Sequence, residues 1–213
     1  MKIYDISIPI SNEMIVWPGD PPVNIRTISS IAKGDDANVS LVQMSVHTGT
    51  HIDAPKHFLE SGQTTDQIPI SQFSGKTLVL EIDPNEELIT SSVLTRHPDW
   101  DLVKQSKKVL FKTKNSSLWQ TQPHLFFRNY VGIDKSGAET LAELDLELIG
   151  VDYLSIAPFS DTTQPHNILL SKGIILLEGI DLSDVPPGFY EMICLPLSFS
   201  GVEGAPARAI LKC

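Results

Sequence analysis

The chain has 213 residues, 41% of them hydrophobic and 20% charged, enough for an ordinary buried core and predicting one domain over residues 1–213. Its formal net charge of −10 argues against nucleic acid and against an anionic membrane surface as partners. No stretch approaches the ~20 apolar residues of a membrane span, and MKIYDISIPI lacks the pattern of a signal peptide, so the expected location is cytoplasmic.

Residues Ile3 to Ile10 alternate apolar and polar side chains and predict an opening strand that ends at Pro9. The WPGDPP segment, Trp17 to Pro22, is dense in proline and glycine and predicts a rigid loop. Trp17 either caps a core edge or walls a site for a planar substrate. Val23 to Ser30 and Asn38 to Val46 read as strands joined by the polar link Lys33 to Asp36.

The second of these strands runs into HTGTHIDAPKHF, His47 to Phe58, which holds three of the six histidines and one aspartate. Imidazole with carboxylate suits zinc, manganese or iron. On an ideal strand His47, His51, Asp53 and His57 would share a face, but His47 and His51 would stand about 13 Å apart, too far for one ion. Thr48, Gly49, Thr50 and Pro55 oppose a helix. The chain is therefore predicted to bend near Gly49, where the missing Cβ permits unusual backbone angles. A lone histidine is more often structural than a ligand; two with an aspartate in seven positions favour a metal held by His47, His51 and Asp53. His57 is either a further ligand or a group that moves protons beside the metal.

Beyond the motif, Glu60 to Gln67 reads as a loop and Thr77 to Ile82 as a strand. Glu86 to His97 predicts a helix, Lys107 to Lys112 a strand, and the aromatic stretch Ser116 to Arg128 has no assignable pattern. His97 and His124 flank prolines and read as loop histidines. Ser136 and Glu139 have capping-box spacing, predicting a helix through about Glu143. Leu146 to Val151 is a strand, Asp152 to Thr163 a loop, and Pro165 to Lys172 a short helix stopped by Gly173. Ile174 to Leu177 is a buried strand ended by Glu178, and Tyr190 to Phe199 and Ala207 to Lys212 complete the strands. Strands and loops first, then alternating strand and helix, predict an α/β domain with a mixed sheet. Cys194 lies in an apolar run and Cys213 is last, so no disulfide is expected.

Glu178 at the end of a buried strand needs a partner, because an unpaired buried charge is costly. A cation would supply one. His166, in the first turn of a short helix, is by itself more often a structural residue.

The motif resembles HxGTHxDxPxHF of the cyclase family of metal-dependent hydrolases, which includes bacterial kynurenine formamidases and, as relatives, isatin hydrolases. WPGD at Trp17, IGVD at Ile149, the pair His166 and Glu178, and PARAIL at Pro206 extend the resemblance over nearly the whole chain. It implies a swivelling β/β/α domain and hydrolysis of a formamide or cyclic amide by metal-activated water. It implies one or two divalent ions, zinc first and manganese second. His47, His51 and Asp53 would hold the first ion. Asp53 and Glu178 would bridge to a second held also by His166. His57 would transfer the proton and Trp17 would line the pocket for a small-molecule substrate. A homodimer or larger homo-oligomer is implied too. Lys56, Phe58 and the stretch IAPF at Ile156 depart from the formamidase pattern and bear on the substrate. A different class remains beside this one: a non-catalytic metal- or small-ligand-binding protein on the same scaffold. The chain has no GxSxG elbow for a serine hydrolase.

Overall fold

Four short apolar runs set the architecture of the computed structural model, which describes residues Met1–Cys213. They form β5 (Ser74–Glu81), β7 (Lys108–Lys112), β9 (Leu148–Val151) and β10 (Ile175–Glu178), side by side and parallel. Ahead of them come β1 (Ile3–Asp5), β2 (Asn24–Ser29), β3 (Val39–Gln43) and β4 (His51–Asp53). Behind them come β11 (Gly188–Pro196) and β12 (Gly204–Lys212). The strand order β12-β11-β5-β7-β9-β10-β4 returns to β12, because β4 pairs antiparallel with both β10 and β12. The mixed sheet expected from the sequence thus closes into a seven-strand barrel, which leaves few unpaired strand edges. β1 adds to the outer part of the β12 edge, opposite Ile210 to Lys212.

Alternation along each strand builds two cores. Ile52, Val79, Leu110, Leu148, Leu177, Met192, Cys194 and Ala209, contributed by all seven strands, pack together on the barrel's inside. Their neighbours Leu78, Leu80, Val109, Phe111, Ile149, Val151 and Leu176 face outward and are covered by helices. Those helices are α1 (Ser91–Arg96), α2 (Trp100–Lys104), α4 (Lys135–Ala142) and α5 (Thr163–Ser171), with α4 and α5 against one another, while α3 (Ser116–Thr121) contributes no residue to this core. No helix is long and apolar enough to cross a membrane.

Several local expectations are corrected. The opening strand stops at Asp5, with only an isolated bridge from Ser7 to Ile180 beyond it; Pro9 has no amide to donate. The helix expected from Glu86 begins at Ser91, because Leu88–Ile89 is a strand (β6) paired with Gly132–Ile133 (β8), and Thr90 caps the helix by accepting from Val93 N. Asp134, not Ser136, caps α4: its carboxylate accepts from Gly137 N at 2.8 Å. Ser136 instead donates to Asp134 and accepts from Ser91 N, tying α1 to α4. The motif also supplies a barrel strand of its own, β4, and the strand before it ends early, at Gln43.

β2 and β3 form a hairpin apart from the barrel, and every residue of β3 is exposed. Ile28, Ile31, Val39, Leu41 and Val42 are exposed there.

Cys194 is fully buried and burial pushes its thiol up to about 12, whereas Cys213 is exposed. Folded protein at pH 8 should therefore give one fast-reacting thiol with a disulfide-exchange reagent, and a second only on unfolding. Two fast thiols in folded protein would contradict this placement.

Candidate functional site

The bend after β3 decides which side chains meet. Gly49 adopts φ 65°, a left-handed conformation that few other residues hold without strain. Thr50 then fixes the turn: its hydroxyl accepts from Ile8 N at 2.8 Å and donates to Gly179 O at 2.5 Å. β4 follows. Ile52 enters the barrel interior, so His51 and Asp53, one position either side, take the opposite, helix-covered face. Register carries the pattern across: Leu176 is opposite Asp53 and Glu178 opposite His51. α5 crosses this face and supplies His166. A short turn at Pro55–His57 folds the chain back so that the His57 ring stacks on His47, with centroids 3.9 Å apart.

Two carboxylates and three imidazoles converge. His47 Nδ1 is 2.8 Å from Asp53 Oδ1, and His51 Nε2 is 3.5 Å from both Asp53 Oδ1 and Glu178 Oε2. His166 Nε2 is 3.2 Å from Glu178 Oε1 and 3.7 Å from Asp53 Oδ2. Ligand atoms of His47, His51 and Asp53 lie within 4.8 Å of one another, as do those of Asp53, His166 and Glu178. Asp53 belongs to both groups. His51 Nδ1 donates to Gly49 O at 2.9 Å and His166 Nδ1 to Thr162 O at 2.5 Å. These bonds fix both tautomers and leave each Nε2 aimed at the carboxylates. Glu178 Oε1 also accepts from Ile156 N at 2.6 Å.

The residues fit a divalent ion. Asp53 Oδ2 and His47 Nε2 are buried without a hydrogen-bond partner, and each such orphan costs about 1–3 kcal/mol unless something satisfies it. A cation among these atoms would do so. The donor set is nitrogen and oxygen only, as hydrolytic metals accept, because Cys194 lies inside the barrel.

The charges agree. Burial alone would lower the His47 pKa, but Asp53, Glu178 and Glu203 outweigh it and raise it to about 9. Burial likewise opposes protonation of His166, and Glu178 and Asp53 overcome it. Burial would raise the Asp53 carboxyl, yet His47, His57 and His51 hold it well below the usual carboxylate range. His57 differs: burial pushes it below the ordinary histidine value, helped by His47 and His166 and opposed by Asp53 and Glu178. The cluster thus collects positive charge, while His57 beside it favours the neutral imidazole.

All seven residues singled out from the sequence meet here. Trp17 borders the same cavity of about 200 Å³ as His47, His57 and His166. Its ring also packs against Phe126 at 5.4 Å and Phe159 at 5.5 Å. Sequence reasoning missed Phe58 as a wall, stacked on His166 at 4.3 Å, although the motif contains it. It also missed Asp20 and Thr162, which reach the cavity from loops with no periodic signal, and Gly204, whose backbone nests against His47.

Residues 4–158 match the family described as "Putative cyclase". A kynurenine formamidase of Salinibacter ruber is 37% identical over 100% of this chain and 98% of its own length. Cyclase-like protein 3 of Arabidopsis thaliana is also 37% identical, over 99% of this chain and 79% of its own. A solved structure described as a potential metal-dependent hydrolase with cyclase activity superimposes with a TM-score of 0.82 at 33% identity, covering 99% of this chain and 96% of that one.

A Cβ at Gly204 would fall 2.5 Å from His47 Cε1, so the imidazole would have to move. If His47 holds a divalent ion, Gly204→Ala should weaken its binding, read with zinc, by about 10–100-fold, the usual cost of disturbing a ligand's support, with the circular-dichroism spectrum retained. Unchanged zinc affinity by calorimetry would show that His47 does not hold the ion.

Proposed function

The chain belongs to the cyclase family, and from that premise we propose that it is an arylformamidase-like hydrolase that cleaves a formamide or cyclic amide at a divalent metal centre. The observation that carries the reading is Asp53, shared by two ligand groups and holding a buried oxygen that no protein donor satisfies. In this proposal His47, His51 and Asp53 hold one ion, and Asp53, Glu178 and His166 hold a second. One or two ions, zinc first and manganese second, would supply a water of lowered pKa and a Lewis acid for the carbonyl. The kynurenine formamidase relative, matched along nearly its full length, favours an aryl formamide.

The chain's own residues do the rest. Trp17 walls the substrate's ring, with Phe126 and Phe159 holding the indole edge and side. Ile156 N and Thr162 O fix Glu178 and His166 in place before substrate arrives. His57 is the proton-transfer residue, passing a proton to the leaving nitrogen; its depressed pKa supports a neutral imidazole able to take one up. We assign residues 1–213 to one hydrolase domain and, by the family resemblance, to the swivelling β/β/α class. Its two free thiols fit a cytoplasmic location.

We also propose that the chain works as a homodimer or higher homo-oligomer. The hairpin of β2 and β3 supports this: two strands alone are marginal in water, and this pair exposes Ile28 at 52% and Ile31 at 59%.

His57→Ala should keep its zinc while turnover of N-formylkynurenine falls by about 10²–10⁴-fold; zinc lost along with activity would refute the separate role. Should the zinc- or manganese-loaded chain turn over neither N-formylkynurenine, isatin nor simple cyclic amides, the non-catalytic binding protein becomes the better reading. Light scattering should give at least twice the chain mass, and Val39→Lys with Leu41→Lys should return it to one. A wild-type monomer would contradict the oligomer.

A further inference from the structure

The cavity beside the metal groups has two carboxylates in its wall. Glu178 belongs to the ligand cluster, but Asp20 does not: it is in neither group of converging ligand atoms. Asp20 is half-buried, and its side chain forms no ion pair and accepts no hydrogen bond within the chain. No lysine or arginine lines the cavity to balance it. A carboxylate in the cavity wall that no side chain of the chain pairs is open to a donor or cation carried by a guest.

Its placement is built in. Asp20 N donates to Trp17 O at 3.0 Å, closing a tight turn. Pro18 occupies the second corner and Gly19, at φ 107°, the third, as a type II turn requires. The first and last residues of that one turn, Trp17 and Asp20, both reach the cavity wall. The turn therefore presents a flat apolar face and an unpaired negative charge as one rigid unit.

We propose that Asp20 is a specificity-determining residue that reads an ammonium group, or a comparable hydrogen-bond donor, on the chain attached to the substrate's aryl ring. Resting on the hydrolase reading above, this narrows it. The preferred substrate is an aryl amide carrying a cationic side chain, and a neutral cyclic amide such as isatin leaves Asp20 unpaired. Leaving a polar group of the site without its partner is what lets such a site reject an analogue.

Asp20→Asn tests this, since it keeps the size of the side chain and leaves the backbone turn intact. The probes are N-formylkynurenine and 4-(2-formamidophenyl)-4-oxobutanoate, which differ only in the ammonium group, on the zinc-loaded full chain. Wild type should favour the ammonium substrate in kcat/KM by roughly tenfold or more, the size expected of one hydrogen bond to a charged group. In Asp20→Asn that preference should vanish, chiefly through KM, with zinc content unaltered. Equal losses on both substrates, loss of zinc, or no change in the preference would overturn the proposal. If wild type cleaves neither compound, the hydrolase reading fails by itself. Calorimetry with kynurenine and its deamino analogue then decides the present one: kynurenine should bind wild type roughly tenfold tighter than the analogue and lose that margin in Asp20→Asn. Equal affinity of wild type for the two would overturn it.

Discussion

Asp53 is the residue on which the rest of the site depends. It is fully buried, shared by two groups of converging imidazoles and carboxylates, and one of its oxygens has no hydrogen-bond partner. A buried carboxylate of this kind persists only where positive charge surrounds it. Asp53 and Glu178 draw such charge toward them, raising the pKa of His47 and of His166. A divalent cation would do the same work with denser charge and without using protons. The site is therefore a strong negative field already assembled by the fold.

Barrel closure holds the field in place. β4 is only three residues long, yet it is hydrogen-bonded on both edges. Its central residue, Ile52, is locked into the barrel interior, and a slip of one residue would bury His51 and Asp53 inside the apolar ring while turning Ile52 outward. That constraint fixes the two polar side chains on the face that α5 crosses, opposite Glu178. Gly204 lies across from Asp53 on β12 and makes room for His47. The same three-residue strand thus closes the barrel and presents His51 and Asp53 to the cluster.

Much of this was legible in the sequence because the relevant signals were local. The spacing of His47, His51 and Asp53 demanded a bend, and Gly49 provides it. Glu178 betrayed itself as a charge at the end of an apolar run. Closure of the sheet was not legible, since it depends on β4 pairing with β12, about 150 residues away, and three residues carry no periodicity. β6 and β8 escaped for the same reason: two residues each, paired only through tertiary contact. The helix start at Asp134 rather than Ser136 was ambiguous because both are good caps, and the packing of α1 against α4 decided between them. Asp20 and Thr162 sit on loops, where only the folded chain reveals what they face.

The most direct test of the account is a zinc titration by calorimetry of the ion-stripped chain beside its Asp53→Asn variant. One carboxylate serving both groups predicts saturable binding in wild type and loss of binding at both groups together in the variant. A variant that takes up zinc with wild-type affinity at either group would contradict the shared role of Asp53, and with it the proposed metal centre.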